Sequence, residues 1–253
     1  MINPLDLSGK NILVTGASSG IGKGISIFLS KVGANITLAA RNEEKLKDTL
    51  KELDPGNHSY YPIDLNNYSD IEVMMDKITS DGKKLNGIVH SAGISRTIPI
   101  QYLKFSDLNN IMSINFYSFM ELAKHFSKRK YNADGGSIVA ISSISSKVGA
   151  RGLAAYSASK GALDSAIRSL ALELAPKNIR INSISPSMIK TQIYDGLVDL
   201  VNNNNFEADL KKRQLLGLGS PEDVASAAAF LLSDASRFVT GTSMIVDGGY
   251  LAH

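Results

Sequence analysis

An α/β fold built on a parallel sheet is the architecture that this sequence predicts, and three observations lead to it. Apolar runs of strand length alternate with segments of helical periodicity along most of the 253 residues. Several of the runs are almost continuously apolar, which is typical of strands that are covered on both faces. No repeat, low-complexity linker or shift in composition divides the chain, so we expect a single domain over residues 1–253. Such alternation predicts a parallel sheet with helices on both faces and right-handed crossovers.

The elements follow one another in a regular order. Seven segments predict strands: 11–15, 35–40, 59–62, 87–90, 137–142, 180–184 and 243–246. Six segments predict helices: 20–32, 42–53, 67–80, 105–129, 155–175 and 221–233. The last helix has a clear start, because Ser220 suits the N-cap, Pro221 the first turn and Glu222 the positive end of the helix dipole. Segment 187–219 breaks the alternation, and we expect it to be a substrate lid with one or two short helices.

Composition bears on several classes of function. Hydrophobic residues make up 43% and charged residues 20%, which allows a substantial core. The net charge is +3 and no basic stripe with interleaved aromatic residues occurs, so we expect no nucleic-acid partner. The chain has no apolar run of about 18 residues and no secretory signal pattern, so we expect a cytoplasmic protein without a membrane span. There is no cysteine, and the four histidines lack metal-ligand spacing, so we expect no metal site.

A glycine turn follows the first predicted strand and opens the first predicted helix. Glycines there let the backbone approach a pyrophosphate, and the helix N-terminus supplies N–H donors. The spacing is G-x-x-x-G-x-G rather than the G-x-G-x-x-G fingerprint. The candidate binding residues in this turn are Gly16, Ser18, Ser19, Gly20, Ile21 and Gly22.

The same turn contains G-x-S-x-G, the nucleophile elbow of α/β-hydrolases, which leaves an alternative open. In that interpretation Ser18 is a nucleophile. It would need a later acid and a later histidine, and the histidines are His58, His90, His125 and His253. The elbow normally follows a strand deep in the sheet rather than the first strand, so we favour the dinucleotide interpretation.

Tyr156 and Lys160 form the most informative pair in the sequence. On a helix over 155–175 they share one face, about 5–6 Å apart at Cβ. An unperturbed tyrosine has a pKa of about 10, and a fixed cation within about 4–6 Å lowers it. We therefore expect Lys160 to depress the pKa of Tyr156 and make the phenol a general acid/base. Ser143 lies thirteen residues upstream.

Taken together, these residues resemble the short-chain dehydrogenase/reductase family along essentially the whole chain. The matching elements, in the family's order, are Thr15-Gly16-Ala17-Ser18-Ser19-Gly20-Ile21-Gly22, Asp64, Ala92-Gly93, Asn115, Ser143, Tyr156 with Lys160, Pro186 with Thr191, and Val246-Asp247-Gly248-Gly249. The resemblance implies a single-domain Rossmann-like doubly wound fold with seven parallel strands. It also implies an oxidoreductase that interconverts a carbonyl and a secondary alcohol.

The resemblance assigns four catalytic roles. Tyr156 would exchange a proton with the substrate oxygen, and Ser143 would hydrogen-bond that same oxygen. Lys160 would lower the pKa of the tyrosine and hold the nicotinamide ribose hydroxyls. Asn115 would anchor a water that links the lysine to solvent, although a polar residue at a helix kink is the alternative interpretation.

The end of the second strand favours NADP(H) over NAD(H). Family members that bind NAD place an acid there for the ribose 2′-hydroxyl, but here the position is Ala40, followed by Arg41 and Asn42. An arginine suits a 2′-phosphate through its planar donor fork. The resemblance adds further cofactor-binding residues: Asp64, Leu65, Ala92, Gly93, Tyr156, Lys160, Pro186, Ile189 and Thr191. For Asp64, capping of helix 67–80 is the alternative.

Two positions depart from the family pattern. Ser91 replaces an asparagine, which puts the local geometry of the cofactor groove in question. Ser187 replaces a glycine, and because a Cβ disfavours positive φ, we expect Ser187 to keep a negative φ.

The predicted substrate pocket is mainly apolar. Its walls are Ile94, Ser145, Leu153, Met188 and the lid, with Arg96 and Arg151 as the nearby cations. The overall pattern looks most like the 3-oxoacyl-thioester reductase branch, which includes 3-oxoacyl-[acyl-carrier-protein] reductases. The alternatives are reduction of a sugar, a steroid-like molecule or another small ketone, and a non-catalytic NADP-binding protein on the same fold.

Helix 155–175 is small and apolar over more than one face, which indicates a protein partner. In the family this helix and the one at 105–129 pair across a two-fold axis, so the resemblance implies a homotetramer or a homodimer. The alternative is that the helix is fully buried within one protomer.

Overall fold

A seven-stranded parallel sheet forms the centre of the computed structural model, which describes residues 3–191, 194, 210 and 212–252. The strands are β1 (Asn11–Thr15), β2 (Asn35–Ala40), β3 (Ser59–Pro62), β4 (Leu85–His90), β5 (Asn132–Ile141), β6 (Ile179–Pro186) and β7 (Ser243–Val246). Their order is β3-β2-β1-β4-β5-β6-β7, and each neighbouring pair is parallel. The predicted fold class is therefore confirmed.

Seven α-helices are described around the sheet. They are α1 (Gly20–Lys31), α2 (Glu43–Lys51), α3 (Tyr68–Ile78), α4 (Phe105–Met112), α5 (Ser118–Phe126), α6 (Ala154–Leu174) and α7 (Pro221–Leu232). Most begin and end within a few residues of the predicted bounds. The start of α7 carries a full capping box, in which Ser220 N donates to Asp223 Oδ2 over 2.7 Å. None of the described helices has the length and the apolar run needed to cross a bilayer.

The predicted helix over 105–129 is wrong in one respect, because it is not continuous. A π-helical turn, Ser113–Tyr117, separates α4 from α5, and α5 ends at Phe126. Such a turn holds one residue more than an α-turn and often marks a functional site. Periodicity alone could not show it, because both flanking helices keep an apolar face toward the sheet.

Two apolar cores cover the sheet, one on each face. Leu13 points into the core that contains residues of α3, α5 and α6. Its neighbours Ile12 and Val14 point into the core that contains residues of α1, α2 and α7. Successive side chains of a strand face opposite sides, so strands buried on both faces must be apolar at nearly every position. This explains the continuous apolar runs.

The strand order brings the functional segments to one edge. The chain leaves β1 toward β2 and returns to the other side of β1 with β4, where Thr15 pairs with His90. This reversal is the topological switch point at which open α/β sheets bind ligands. The turns after β1, β4, β5 and β6 therefore open onto one region.

The predicted lid, 187–219, lies largely outside the described residues. Its two described ends are joined: Ile189 forms a β-bridge with Gly219, and the Gln214 side chain hydrogen-bonds both backbone groups of Met188. The lid itself stays a prediction.

Candidate active site

A cleft of about 910 Å³ lies at the carboxyl ends of the central strands. It brings together residues predicted from distant parts of the sequence. The predicted residues that line it are Gly16, Ser18, Ser19, Gly20, Ile21, Gly22, Arg41, Asn42, Asp64, Leu65, Ala92, Gly93, Ser143, Tyr156, Lys160, Pro186, Ile189 and Thr191. Asn115 lies behind the wall of the cleft, where it is fully buried.

The glycine turn has no room for side chains. Gly16 has a φ of +66°, and a Cβ added there would lie 2.7 Å from the backbone nitrogen of Ala92. A Cβ on Gly22 would lie 2.3 Å from the carbonyl oxygen of Gly16. The turn after β1 therefore packs directly on the segment after β4, and its backbone is bare of side chains at Gly16 and Gly22, as the close approach of a pyrophosphate requires.

The start of α1 is available for an anion. Ser19 is the N-cap, but its side chain makes no capping hydrogen bond, and the first turn carries no acidic residue. The free N–H groups and the positive end of the helix dipole therefore face the cleft. Thr191 lies over this end, since a Cβ on Gly20 would be 3.6 Å from its methyl group.

Two cations line the cleft at the end of β2. Asn42 caps α2 by accepting a hydrogen bond from the backbone of Lys45 over 2.9 Å. Arg41 precedes this cap, and both Arg41 and Lys45 line the cleft. Sequence reasoning missed Lys45; Arg41 lies outside α2, so helical spacing does not indicate that the two cations meet at the cleft. Asp64 Oδ1 accepts from the Asn66 backbone over 3.0 Å, within its own loop, so it does not cap α3.

Tyr156 and Ser143, the two residues predicted to contact the substrate oxygen, are hydrogen-bonded to each other, but the pKa of the phenol shifts in the direction opposite to the prediction. Burial raises the pKa of Tyr156 above its ordinary value, and a hydrogen bond with Ser143 opposes that rise. The Ser143 hydroxyl in turn accepts from the Ser145 backbone over 3.1 Å, which fixes its oxygen.

Lys160 explains why the expected lowering of the tyrosine pKa is wrong in this structure. Its Nζ lies 5.8 Å from the ring centroid of Tyr156 and donates to the carbonyl oxygen of Ile141 over 2.7 Å. Burial also lowers the pKa of Lys160 to about 8, against the opposing charge of Asp164. The lysine therefore stays mostly charged near neutral pH, but its ammonium is directed at the Ile141 carbonyl, and burial of the phenol sets the direction of the Tyr156 pKa shift.

Asn115 sits in the π-turn and ties three segments together. Its amide accepts from the Ile94 backbone over 2.8 Å, donates to the Ile94 carbonyl over 3.0 Å and donates to the Ser159 hydroxyl over 2.9 Å. A Cβ on Gly93 would lie 3.3 Å from Asn115 Oδ1 and 3.4 Å from Lys160 Nζ. Asn115 thus fits both interpretations: it lies at a helix irregularity, and it lies close to Lys160. That it anchors a water linking the lysine to solvent stays a prediction.

The other half of the cleft has the predicted apolar walls. Ile94, Ser145, Leu153 and Met188 line it. Four further lining residues, Tyr194, Leu210, Arg213 and Gln214, fall in segment 187–219, which was predicted as a wall of the pocket without naming individual contacts. Tyr250, in the segment after β7, also lines the cleft and was missed, because no local motif marks it.

The arginine that lines this half of the cleft is Arg213, not Arg96 or Arg151. The Arg213 guanidinium donates to the Tyr250 hydroxyl over 3.0 Å. Arg96, by contrast, pairs with Asp107 over 3.0 Å, and neither Arg96 nor Arg151 is among the lining residues.

The two departures from the family pattern are accommodated locally. Ser91 lines the cleft, and a Cβ on Gly22 would lie 3.2 Å from its hydroxyl, which shows how closely the two segments approach. Ser187 avoids positive φ, as predicted, and its hydroxyl donates to the carbonyl of Asp247 over 3.1 Å.

The described histidines are engaged away from Ser18. His58 bonds the backbone of Ile36 and of Asp54, and His90 is fully buried against Thr15. His125 lies on α5 beside Glu121. Within the described residues, the arrangement that a nucleophilic Ser18 would need is therefore not formed.

Comparisons with known proteins agree with this geometry. A family model described as enoyl-(acyl carrier protein) reductase matches residues 16–251. The 3-oxoacyl-[acyl-carrier-protein] reductase FabG of Rickettsia conorii is 37% identical over 248 residues, covering 98% of this chain and 99% of the relative.

Solved structures share the fold of this chain over nearly its whole length. A candidate short-chain alcohol dehydrogenase from Sinorhizobium meliloti superposes with a TM-score of 0.93 at 30% identity, covering 99% of each chain. A candidate NAD(P)-dependent gluconate 5-dehydrogenase from Beutenbergia cavernae, with NADP bound at low occupancy, gives 0.90 at 28% identity, covering 99% of this chain and 100% of the other. With its fold, its cleft and its relatives in agreement, the chain belongs to the short-chain dehydrogenase/reductase family of oxidoreductases.

Proposed function

We propose that this protein is an NADP(H)-dependent reductase that interconverts a carbonyl and a secondary alcohol, with Tyr156 as the general acid/base. The observation that carries the proposal is that Tyr156, Ser143 and Lys160 face the same cleft as the glycine turn and Arg41. A proton-exchanging group thus shares one cavity with an anion-binding helix start.

The chain's own residues would do the following in the reaction. Ser143, with its oxygen fixed by the Ser145 backbone, would hold the substrate oxygen by a hydrogen bond. Tyr156 would give that oxygen a proton in reduction, and its raised pKa keeps the phenol protonated and ready to donate at neutral pH. Lys160 would stabilise the phenolate that results, in proportion to the fraction of lysine that is charged.

The residues of the cleft fit a nicotinamide dinucleotide with a 2′-phosphate. The backbone surface of Gly16 and Gly22 and the uncapped start of α1 suit the pyrophosphate. Arg41 and Lys45 would hold the 2′-phosphate. When bound, such a cofactor supplies or accepts the hydride, which no side chain can do.

The substrate class that we favour is a 3-oxoacyl thioester. The apolar walls of the cleft suit an acyl chain better than a small charged acid, and the similarity to a 3-oxoacyl-[acyl-carrier-protein] reductase supports the same class. A sugar-type or other alcohol substrate is the second candidate, favoured by the named activities of two structural neighbours. A non-catalytic NADP-binding protein is disfavoured, because Ser143, Tyr156, Lys160 and Asn115 are all present together.

Assembly as a homotetramer or homodimer through helices 105–129 and 155–175 is part of the same proposal. On α6, Ala158 is exposed and Gly161, Ala162 and Ala166 are only partly buried in the protomer, so part of the predicted apolar face is uncovered, which supports a protein partner rather than a fully buried helix. The expected cytoplasmic location stays a prediction.

The decisive experiment follows NADPH consumption with a panel of acetoacetyl thioesters, sugar ketones and cyclic ketones. We expect turnover with a thioester, and the Tyr156→Phe variant should lose at least ~100-fold in turnover while still binding NADPH. Equal rates in the two proteins would refute the role of Tyr156. Turnover with sugar ketones alone would favour the second candidate, and binding without any turnover would favour the non-catalytic one.

A further inference from the structure

An ion pair between a buried carboxylate, Asp164, and an exposed lysine, Lys147, lies next to the active site, and the mechanism above does not use it. Asp164 follows Lys160 by one turn of α6, and only 8% of it is exposed. Its Oδ2 accepts from the Lys147 ammonium over 3.0 Å and from the Ser146 hydroxyl over 2.6 Å, and its Oδ1 accepts from the Ser183 hydroxyl over 2.7 Å. The carboxylate is therefore charged and held from three sides.

Lys147 extends this network to the last two strands. Its Nζ lies 3.3 Å from the Ser185 hydroxyl and 3.0 Å from the Ser243 hydroxyl. These two hydroxyls also bond each other over 2.8 Å. Side-chain hydrogen bonds of Lys147 thereby connect the short turn after β5 to β6, β7 and α6.

The network reaches the catalytic serine through a single hydroxyl. Ser146 Oγ lies 2.7 Å from the carbonyl oxygen of Ser143 as well as 2.6 Å from Asp164, so its proton is shared between them. Ser143 caps the same turn, Ile144–Ser146. The turn that carries Ser143 is thus attached to the helix that carries Tyr156 and Lys160.

Charge is the second link between this network and the site. Burial lowers the pKa of Lys160, and Asp164 opposes that effect. Burial alone would raise the pKa of Asp164, but the hydrogen bonds from Ser146, Ser183 and Lys147 outweigh it and hold that pKa below its usual range. Other charged or titratable side chains lie around Asp164 and Lys160. Arg168 donates a hydrogen bond to the Asp164 backbone carbonyl, the charge of Lys160 lowers the pKa of His90, and the ring of Tyr156 lies 5.8 Å from Lys160 Nζ.

Stability alone is a weak reason for such a pair. Lys147 is exposed, and an ion pair with an exposed partner typically contributes only about 0–1 kcal/mol to stability. A catalytic benefit accounts better for its position between the Ser143 turn and the Lys160 helix.

We propose that Asp164 is a positioning residue with two effects: through Ser146 and Lys147 it holds the Ser143 turn against α6, and its carboxylate, one helical turn from Lys160, stabilises the ammonium form of that lysine. This inference rests on the proposed function for its effect on turnover, whereas its effect on the charge of Lys160 can be observed without any reaction.

The test compares wild type with Asp164→Asn, a change that keeps the size of the side chain and removes its charge. Glu173→Gln, an exposed position on the same helix, is the matched control. Carbon-13 NMR of labelled lysines, with Lys160 assigned from Lys160→Met, should show Lys160 titrating about one pH unit lower in Asp164→Asn. The alkaline limb of the ketone-reduction profile should move by the same amount, and the control should match wild type.

A second variant separates positioning from charge. Ser146→Ala leaves the Asp164 carboxylate in place, so we expect about a tenfold lower kcat, or about 1.4 kcal/mol, with no shift of the alkaline limb. An unchanged Lys160 titration in Asp164→Asn would overturn the electrostatic part of the inference. If Asp164→Asn does not fold, wild-type turnover in Ser146→Ala would overturn the positioning part.

Failure of the proposed function would be distinct from both outcomes. If wild type reduces no ketone, the proposed function fails, whereas the lysine titrations still decide the role of Asp164.

Discussion

The two halves of the cleft are built in different ways. Between β1 and β3, in the backbone half, the turn after β1 approaches the cleft with its backbone, because Gly16 and Gly22 leave no room for side chains and the start of α1 is uncapped. Between β4 and β6, in the side-chain half, the wall depends on Lys160, and on Asn115 behind it, which are held by partners far away in sequence. Close backbone packing fixes the first half, whereas side-chain hydrogen bonds fix the second. Variants should therefore fail in different ways in the two halves.

The largest effect is expected at the backbone half. Gly16→Ala would combine an unfavourable positive φ with a Cβ only 2.7 Å from Ala92 N. We expect a loss of about 3 kcal/mol in the free energy of unfolding and loss of measurable NADPH binding, checked by urea denaturation and fluorescence titration. Gly82→Ala, which shares a positive φ of +77° but has no atom within 4 Å of an added Cβ, is the control and should lose only about 1–2 kcal/mol with unchanged NADPH binding. Normal NADPH affinity in Gly16→Ala would show that the turn does not need close backbone packing.

In the side-chain half, Asn115→Ala should cost about 2–3 kcal/mol of unfolding free energy. It would leave both backbone groups of Ile94 without their partner, and buried unsatisfied groups cost roughly 1–3 kcal/mol each. NADPH should still bind, because the glycine turn is untouched. Asn109→Ala, exposed on α4, is the control and should stay within about 0.5 kcal/mol. Equal stability of the two variants would mean that the π-turn does not depend on Asn115.

Arg41→Asp tests the selectivity of the backbone half for the 2′-phosphate. A charge-assisted hydrogen bond contributes roughly 1.5–3 kcal/mol, so NADPH affinity should fall by about 10- to 100-fold and the preference should move toward NADH. The same charge change in Arg237→Asp, an exposed residue outside the cleft, should leave both affinities unchanged. Unaltered selectivity in Arg41→Asp would show that Arg41 does not bind the phosphate.

The smallest effect is a dependence of stability on pH. Burial, with the charge of Lys160, lowers the pKa of His90 from 6.5 to about 3. Between these values the unfolded chain binds a proton at His90 and the folded chain does not, so the free energy of unfolding should fall as pH falls. The slope from this group is at most about 1.4 kcal/mol per pH unit. Urea denaturation between pH 7 and 5 should show a shallower slope for His90→Gln than for wild type. Parallel slopes would contradict the assignment.

The contrast between the two halves also explains what could be predicted from the sequence. Strands, helices and the glycine turn follow from local patterns, and the fold class was confirmed. The π-turn was missed because it depends on the contact of Asn115 with Ile94, 21 residues away. The direction of the Tyr156 pKa shift was wrong because helical spacing gives the proximity of Lys160 but not the burial of the phenol or the Ile141 carbonyl that Lys160 binds. Tyr250 was missed because only the strand order brings it to the cleft.

The π-turn gives the helical segment one residue to spare. Because such a turn holds one residue more than an α-turn, removing one residue from Ser113–Tyr117 would let the segment close into α-helical spacing, and Phe119, Leu122 and Phe126 would keep facing the sheet. The same deletion inside α5 would rotate every residue beyond it by about 100° around the helix axis. A single-codon deletion in the turn that keeps Asn115 should therefore be tolerated better than one inside α5.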